Sequence, residues 1–194
     1  MLKAIAQIRR DCGQRDAANP FPVITGTSAG AINAAALACR ADDFDAAVGC
    51  LCEVWENFHA EQVYRSDSIG VIRTGARWLT MMSIGWLMAR FHRAKPRTLL
   101  DNTPREVLLT PLVSTERLHQ MMLEGHLQAL AVSASSYGSG LYVTFSDALA
   151  DIQPWTRSQR IAVRDAISMP HLLASSAIPF DFPPVPLTLG GFIE

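Results

Sequence analysis

The sequence predicts a single α/β domain, spanning residues 1–194, built around a largely parallel sheet. Two observations support this prediction. Strand-like and helix-like segments alternate near the start of the chain, a pattern typical of parallel strands joined by crossover helices. The chain has 194 residues, of which 49% are hydrophobic and 18% are charged. This composition supplies one sizeable hydrophobic core and is not that of a disordered chain.

The first elements follow from the spacing of apolar residues. Residues 2–12 carry apolar side chains at helical spacing, which predicts a helix. A short apolar run at 22–24 indicates a strand, and the small, apolar residues 31–39 indicate a buried helix packed close to a sheet. Residues 42–58 have an apolar face at helical spacing and predict a further helix.

The later elements follow from turn and capping signals. At 103–106, Thr, Pro and Glu stand where a helix prefers its N-cap, first and third residues. The strand-like runs 130–134 and 141–145 flank a segment rich in Gly and Ser, which predicts a hairpin. Residues 161–173 are predicted to be helical, with a break around Pro170.

Charge and residue spacing give no support to several classes of function. Seventeen basic and eighteen acidic residues leave a net charge of −1, so no nucleic-acid partner is predicted. The five histidines follow no metal-ligand spacing, and we expect neither a metal site nor a cofactor. The cysteines form no CxxC pair and are expected to be small buried side chains in a reducing compartment; they are Cys12, Cys39, Cys50 and Cys52.

The motif that carries chemistry is GxSxG at residues 26–30, which predicts a nucleophile elbow. The chain turns so sharply that a side chain on Gly26 or Gly30 is expected to clash. The turn places the Ser28 hydroxyl at a helix N-terminus, where the helix dipole favours negative charge. The N–H of Ala29, just after the serine, is expected to be one oxyanion-hole donor, and Thr27 completes the motif. The alternative is a glycine-rich turn whose serine only caps the helix.

Several segments resemble bacterial patatin-like phospholipases. Residues 26–34, GTSAGAINA, are similar to that family's nucleophile segment, and residues 174–184 are similar to the segment before its catalytic aspartate. Residues 99–104 and the hairpin at 130–145 also resemble this subgroup. The resemblance covers essentially the whole chain in order. It implies a patatin-like three-layer α/β/α sandwich with a central, mostly parallel sheet.

The resemblance implies a serine acyl hydrolase that cleaves lipid carboxylic esters. In this family a serine attacks the ester carbonyl, an aspartate acts as the base without a histidine, and a GGGxRG loop adds oxyanion donors. Ser28 matches the serine. The loop is expected before residue 1 and the aspartate, in a DG motif, after residue 194; Asp181 does not match that motif. We therefore expect a domain incomplete at both ends, and a 194-residue chain that is nearly inactive.

Two alternatives remain open. His171 is the only late histidine, and it would be the base if the chain were a Ser–His α/β-hydrolase or an acyltransferase. Alternatively, without the base and the glycine-rich loop, the chain would be a catalytically dead module that binds lipid or a partner protein.

Residues 69–100 form a basic apolar segment within the domain, with six basic residues and no acid. Trp78 and Trp86 lie among apolar residues between Arg77 and Arg90, in a stretch too short to span a bilayer. The segment is either a membrane-surface contact for anionic lipid or a cap helix buried against the core. The N-terminus does not resemble a signal peptide, and a cytoplasmic or peripheral-membrane location is favoured.

Overall fold

The computed structural model describes residues 1–57, 109–178, 184–189 and 192–193, with the backbone alone for 189 and 192–193. The basic apolar segment, the helix start predicted at 103–106 and Asp181 lie outside the described residues. The described helices are α1 (Leu2–Asp11), α2 (Ala29–Ala38), α3 (Phe44–Glu56), α4 (Thr115–Leu123) and α5 (Met169–Ser175). The described strands are β1 (Val23–Thr27), β2 (Ala129–Ser135), β3 (Tyr142–Ala148), β4 (Trp155–Arg157), β5 (Arg160–Arg164), β6 (Thr188–Leu189) and β7 (Phe192–Ile193).

Five of these strands form one sheet in the order β1-β2-β3-β5-β4, and β6 pairs with β7 separately. β1 lies parallel to β2 and β3 parallel to β5, whereas the β2–β3 and β4–β5 pairs are antiparallel. The predicted hairpin is confirmed, because β2 and β3 pair from Ala129 opposite Ala148 to Ser135 opposite Tyr142. Helices packed on this sheet confirm the predicted α/β class.

The core lies between the sheet and its helices. Alternate residues of β2 are buried, namely Leu130, Val132 and Ala134, and Val132 lies opposite the buried Phe145 of β3. α2 packs against β1 and β2 and is rich in alanine, with buried residues on most sides. Because alanine adds only a methyl group, this helix can approach the sheet closely, and its N-terminus is fixed at the end of β1.

α3 confirms the helix predicted over 42–58. It begins after Asp43, whose side chain accepts a hydrogen bond of 2.9 Å from the N–H of Ala46. Its buried residues include Phe44 and Leu51. Trp55 in its last turn is 43% exposed, and its indole N–H donates to Asn33 Oδ1 of α2 at 2.7 Å. α3 therefore packs against α2 and holds it at Asn33.

The helix predicted over 161–173 is wrong in its first half. Ile161 and Val163 belong to β5, where they lie opposite Val143 and Phe145 of β3. A short apolar run fits a strand as well as a helix, and pairing with β3 decides in favour of the strand. Pro170 does not break a helix; it stands in the first turn of α5, where its missing N–H has no partner to lose.

The cysteine expectation is correct for Cys39, which is buried, and wrong for Cys12, which is exposed; Cys50 and Cys52 are half-buried. All four are free thiols. Among the described residues, no helix has the length and apolar character needed to cross a membrane.

Candidate active site

The candidate site is the turn between β1 and α2. β1 ends at Thr27 and α2 begins at Ala29, so that Ser28 alone makes the turn. Ser28 has φ 56° and ψ −127°, in the left-handed half of backbone space that residues other than glycine rarely adopt. Its side chain is exposed. The segment thus has the strand–turn–helix form that the GxSxG motif requires.

The two glycines of the motif are not equivalent. A Cβ added to Gly26 would lie 2.2 Å from the carbonyl oxygen of Gly30 and 2.7 Å from Cα of Ala31. Both are backbone atoms, so nothing can move aside without deforming the turn. A Cβ added to Gly30 would have no described atom within 4 Å. The expected clash therefore exists at Gly26. For Gly30 the expectation is wrong, because its backbone makes the close approach to Gly26 while a side chain on its own Cα would meet no atom of the described residues within 4 Å.

The first N–H groups of α2 differ in their partners. The Ser28 N–H donates to Ser175 Oγ at 2.9 Å, and the Ala31 N–H donates to the Ser28 carbonyl at 2.9 Å. Among the described residues, the N–H groups of Ala29 and Gly30 and the hydroxyl of Ser28 have no hydrogen-bond partner. Two donors and a hydroxyl without a partner in the described part of the chain thus lie together at the positive end of a helix dipole.

Ser175 links this turn to the rest of the fold. It is the last residue of α5 and is 9% exposed. Besides accepting from the Ser28 N–H, its hydroxyl donates to the carbonyl of Ser133 at 2.6 Å. Ser133 lies in β2 directly opposite Thr27. Sequence reasoning missed Ser175, because no local pattern connects two residues that are 147 positions apart.

A second group of hydroxyls lies at the same end of β1. The Tyr142 hydroxyl is 3.1 Å from Thr27 Oγ1, and Ser133 Oγ is 2.9 Å from Thr144 Oγ1. Hydrogen bonds with Ser133 and Thr27 lower the pKa of Tyr142; Arg160, 5.9 Å from its ring centroid, acts in the same direction and burial opposes it. These contacts hold Thr27, the residue just before the turn, from the neighbouring strands.

His171 does not face the turn with a free nitrogen. Its Nδ1 accepts from the Ser168 N–H at 3.1 Å and is 2.9 Å from Ser168 Oγ, while its Nε2 is 3.4 Å from Asp165 Oδ2. Its ring packs on Phe145, with 4.5 Å between the ring centroids. Burial lowers the pKa of His171, against the opposing effect of Asp165 and Asp147. Both ring nitrogens are used at the start of α5, which gives no support to a Ser28–His171 pair.

A cavity of about 380 Å³ lies between α5, the β2–β3 loop and residues 184–187. Much of its lining is apolar, including Ala134, Val143, Phe145 and Ala174. Ser28 is not among its lining residues, but Ala174 directly precedes Ser175, which binds the Ser28 amide. Among the described residues, no group of three or more His, Cys, Asp or Glu side chains is arranged to hold a metal ion.

Comparison with known proteins places the chain in a family. The family model described as patatin-like phospholipase matches residues 1–193, almost the whole sequence. Searches among curated proteins and among solved structures gave no match. At the family level, the match indicates a lipid acyl hydrolase that acts on ester bonds, and it agrees with the α/β fold described above. The chain belongs to the patatin-like phospholipase family.

Proposed function

We propose that this protein is a serine acyl hydrolase that cleaves lipid carboxylic esters through an acyl-enzyme on Ser28. The observation that carries the proposal is the turn itself: an exposed serine with φ 56°, at the N-terminus of α2, whose hydroxyl has no partner among the described residues. Family membership supplies the class of reaction.

Ser28 does not act as a helix cap. A capping serine has extended backbone angles and accepts a hydrogen bond from the N–H two or three residues later. Ser28 has neither feature, since its φ is positive and its side chain makes no capping bond. A left-handed serine costs about 1–3 kcal/mol, and such strain persists where the surrounding structure enforces it. This geometry favours a nucleophile over the capping alternative.

The chemistry follows from the atoms around the turn. Ser28 Oγ attacks the ester carbonyl carbon, and its proton passes to a general base. The N–H groups of Ala29 and Gly30 are available to the oxyanion that forms on the carbonyl oxygen. The C–O bond to the alcohol then breaks, the alcohol takes the proton, and water hydrolyses the acyl-enzyme. For the base we propose the aspartate that the family resemblance implies, since His171 is held at the start of α5.

The apolar cavity supports a lipid as the substrate. Its volume of about 380 Å³ falls within the range of pockets that hold organic ligands. Its lining combines alanine, valine and phenylalanine side chains, which favour an acyl chain over a polar group. It borders α5 at Ala174, next to the residue that binds the Ser28 amide.

The proposal is tested by labelling the full-length protein, as its gene encodes it, with a fluorophosphonate probe and locating the label by mass spectrometry. We expect the label on Ser28, and we expect Ser28→Ala to lower hydrolysis of a p-nitrophenyl fatty ester by at least about 10³-fold. The matched control is Ser114→Ala, because Ser114 is an exposed N-cap serine of α4 that does accept from the Arg117 N–H. That variant should keep its activity. A label on another residue, no label, or an active Ser28→Ala variant would overturn the proposal.

A further inference from the structure

We propose that Ser175 is a positioning residue for Ser28: its hydroxyl takes the Ser28 amide hydrogen, holds the serine in its left-handed conformation, and leaves the Ala29 and Gly30 N–H groups as the oxyanion donors. This inference rests on the proposed role of Ser28 as the nucleophile.

The direction of the two hydrogen bonds is fixed by chemistry. A hydroxyl has one hydrogen to donate, and the carbonyl of Ser133, 2.6 Å away, can only accept it. The lone pairs of Ser175 Oγ are then the acceptors for the Ser28 N–H at 2.9 Å. Ser175 is 9% exposed and Ser28 lies at the surface, so this chain of bonds is partly shielded from water. The hydroxyl therefore joins α5, β2 and the turn at one point.

The bond to Ser175 opposes relaxation of the strained turn. Rotation of Ser28 toward negative φ would relieve strain and turn its amide away from α5. It would also let the hydroxyl cap α2, because extended backbone at an N-cap points the side chain at the helix N–H groups. While Ser175 holds the amide, that rotation requires breaking a partly buried hydrogen bond. A nucleophile displaced by about 1 Å can lose about a hundredfold in rate.

The same bond decides which N–H groups meet the substrate. The Ser28 N–H points into α5 and is occupied, so it does not contribute to an oxyanion hole. The N–H of Ala31 is also used, by the Ser28 carbonyl. Between them, Ala29 and Gly30 are the first-turn donors of α2 that remain free among the described residues.

The experiment compares Ser175→Ala, Ser175→Cys and Ser175→Thr in the full-length protein. Ser175→Cys keeps a side chain of similar size but forms only weak hydrogen bonds. Ser175→Thr retains the hydroxyl. We expect Ser175→Ala and Ser175→Cys to lower the fluorophosphonate labelling rate of Ser28 and kcat at least about tenfold with little change in KM. Ser175→Thr should recover much of both. The control Ser168→Ala weakens the other end of α5 and should lower the Tm while the labelling rate stays within about twofold.

A second readout does not depend on catalysis. By NMR hydrogen exchange, the Ser28 amide should be protected in the unmodified protein and should exchange at least about tenfold faster in Ser175→Ala. An unprotected Ser28 amide, or labelling rates unchanged in Ser175→Ala while Ser28 is still labelled, would overturn the inference alone. A different outcome is that Ser28 is never labelled, while its amide still loses protection in Ser175→Ala. That result would overturn the proposal that Ser28 is the nucleophile and would leave Ser175 with a purely structural role.

Discussion

The Ser28–Ser175 hydrogen bond joins two helices, α2 and α5, and each of these helices has a serine at its N-cap. The two serines differ in backbone conformation and in hydrogen-bond partners. Ser168 precedes α5 with φ −136°, an ordinary extended conformation, and both its N–H and its hydroxyl bond to His171. Ser28 precedes α2 with φ 56°; its N–H is taken by a distant residue and its hydroxyl has no described partner. The Ser168 side chain bonds to a residue of its own helix, whereas the Ser28 side chain makes no capping bond to α2.

Residue type and position therefore do not decide what an N-cap serine does. At Ser168 the N–H and the hydroxyl both bond to His171, three positions away, so the local sequence is self-consistent. At Ser28 the local preference for a capped helix is overruled by Gly26, which permits the sharp turn, and by Ser175, which holds the amide. Functional sites typically contain residues whose conformation departs from the local preference because distant parts of the structure hold them there.

The largest loss of stability is expected for Gly26→Ala, which removes the glycine that permits the turn at Ser28. Its methyl group would meet backbone atoms of Gly30 at 2.2 Å, so the turn must open or the strand must shift. We expect the free energy of unfolding to fall by about 3 kcal/mol, measured by urea denaturation. The matched control is Gly30→Ala, where a methyl group has no described atom within 4 Å. In a helix this change should leave stability unchanged or raise it by up to about 1 kcal/mol. Equal losses in the two variants would show that the close approach at Gly26 is not what shapes the turn.

Substitutions of the two N-cap serines should change the free energy of unfolding by a smaller amount and in opposite directions. Ser28→Gly relieves the left-handed strain, and after allowing for the greater freedom of glycine in the unfolded chain we expect a gain of about 1 kcal/mol. Ser168→Ala removes the hydroxyl that bonds to His171 Nδ1 at the start of α5 and should lower the free energy of unfolding by about 1 kcal/mol. Thermal and urea unfolding of both variants measure this. If both lost stability, the claim that Ser28 is held under strain would be wrong.

The last prediction concerns the pH dependence of stability that arises from His171, the partner of Ser168. Burial lowers the pKa of His171 below its usual 6.5 in the folded protein, so the unfolded chain binds the proton more readily. The stability contribution of neutral His171 is therefore complete above about pH 6.5 and is lost as the pH falls below it, by at most about 1.4 kcal/mol per pH unit. His171→Gln keeps a capping side chain at the third helix position without titrating there. Unfolding at pH 7.5 and 5.5 should show a larger loss in the unmodified protein than in His171→Gln; equal losses would assign the effect to other groups.

Much of the fold could be predicted because its signals are local. The hairpin of β2 and β3 followed from two apolar runs around a Gly/Ser loop, and α2 followed from a run of small apolar residues after the motif. The segment 161–173 could not be resolved in the same way, because Ile161 and Val163 fit either a strand or a helix until they pair with β3. The clash at Gly26 could be predicted, but the motif predicts the same clash at Gly30, and only the path of the backbone separates the two glycines.

Local sequence is enough to put a serine at a strand-to-helix turn, because Gly26 and the apolar and small-residue segments around Ser28 act over a few positions. Which side chains contact Ser28 and His171 depends on the tertiary structure. Ser175 reaches the Ser28 amide across 147 positions, and His171 is drawn to Ser168 and Asp165. The physical reason is that hydrogen bonds between distant residues depend on how helices and strands pack, and that packing is a property of the whole core.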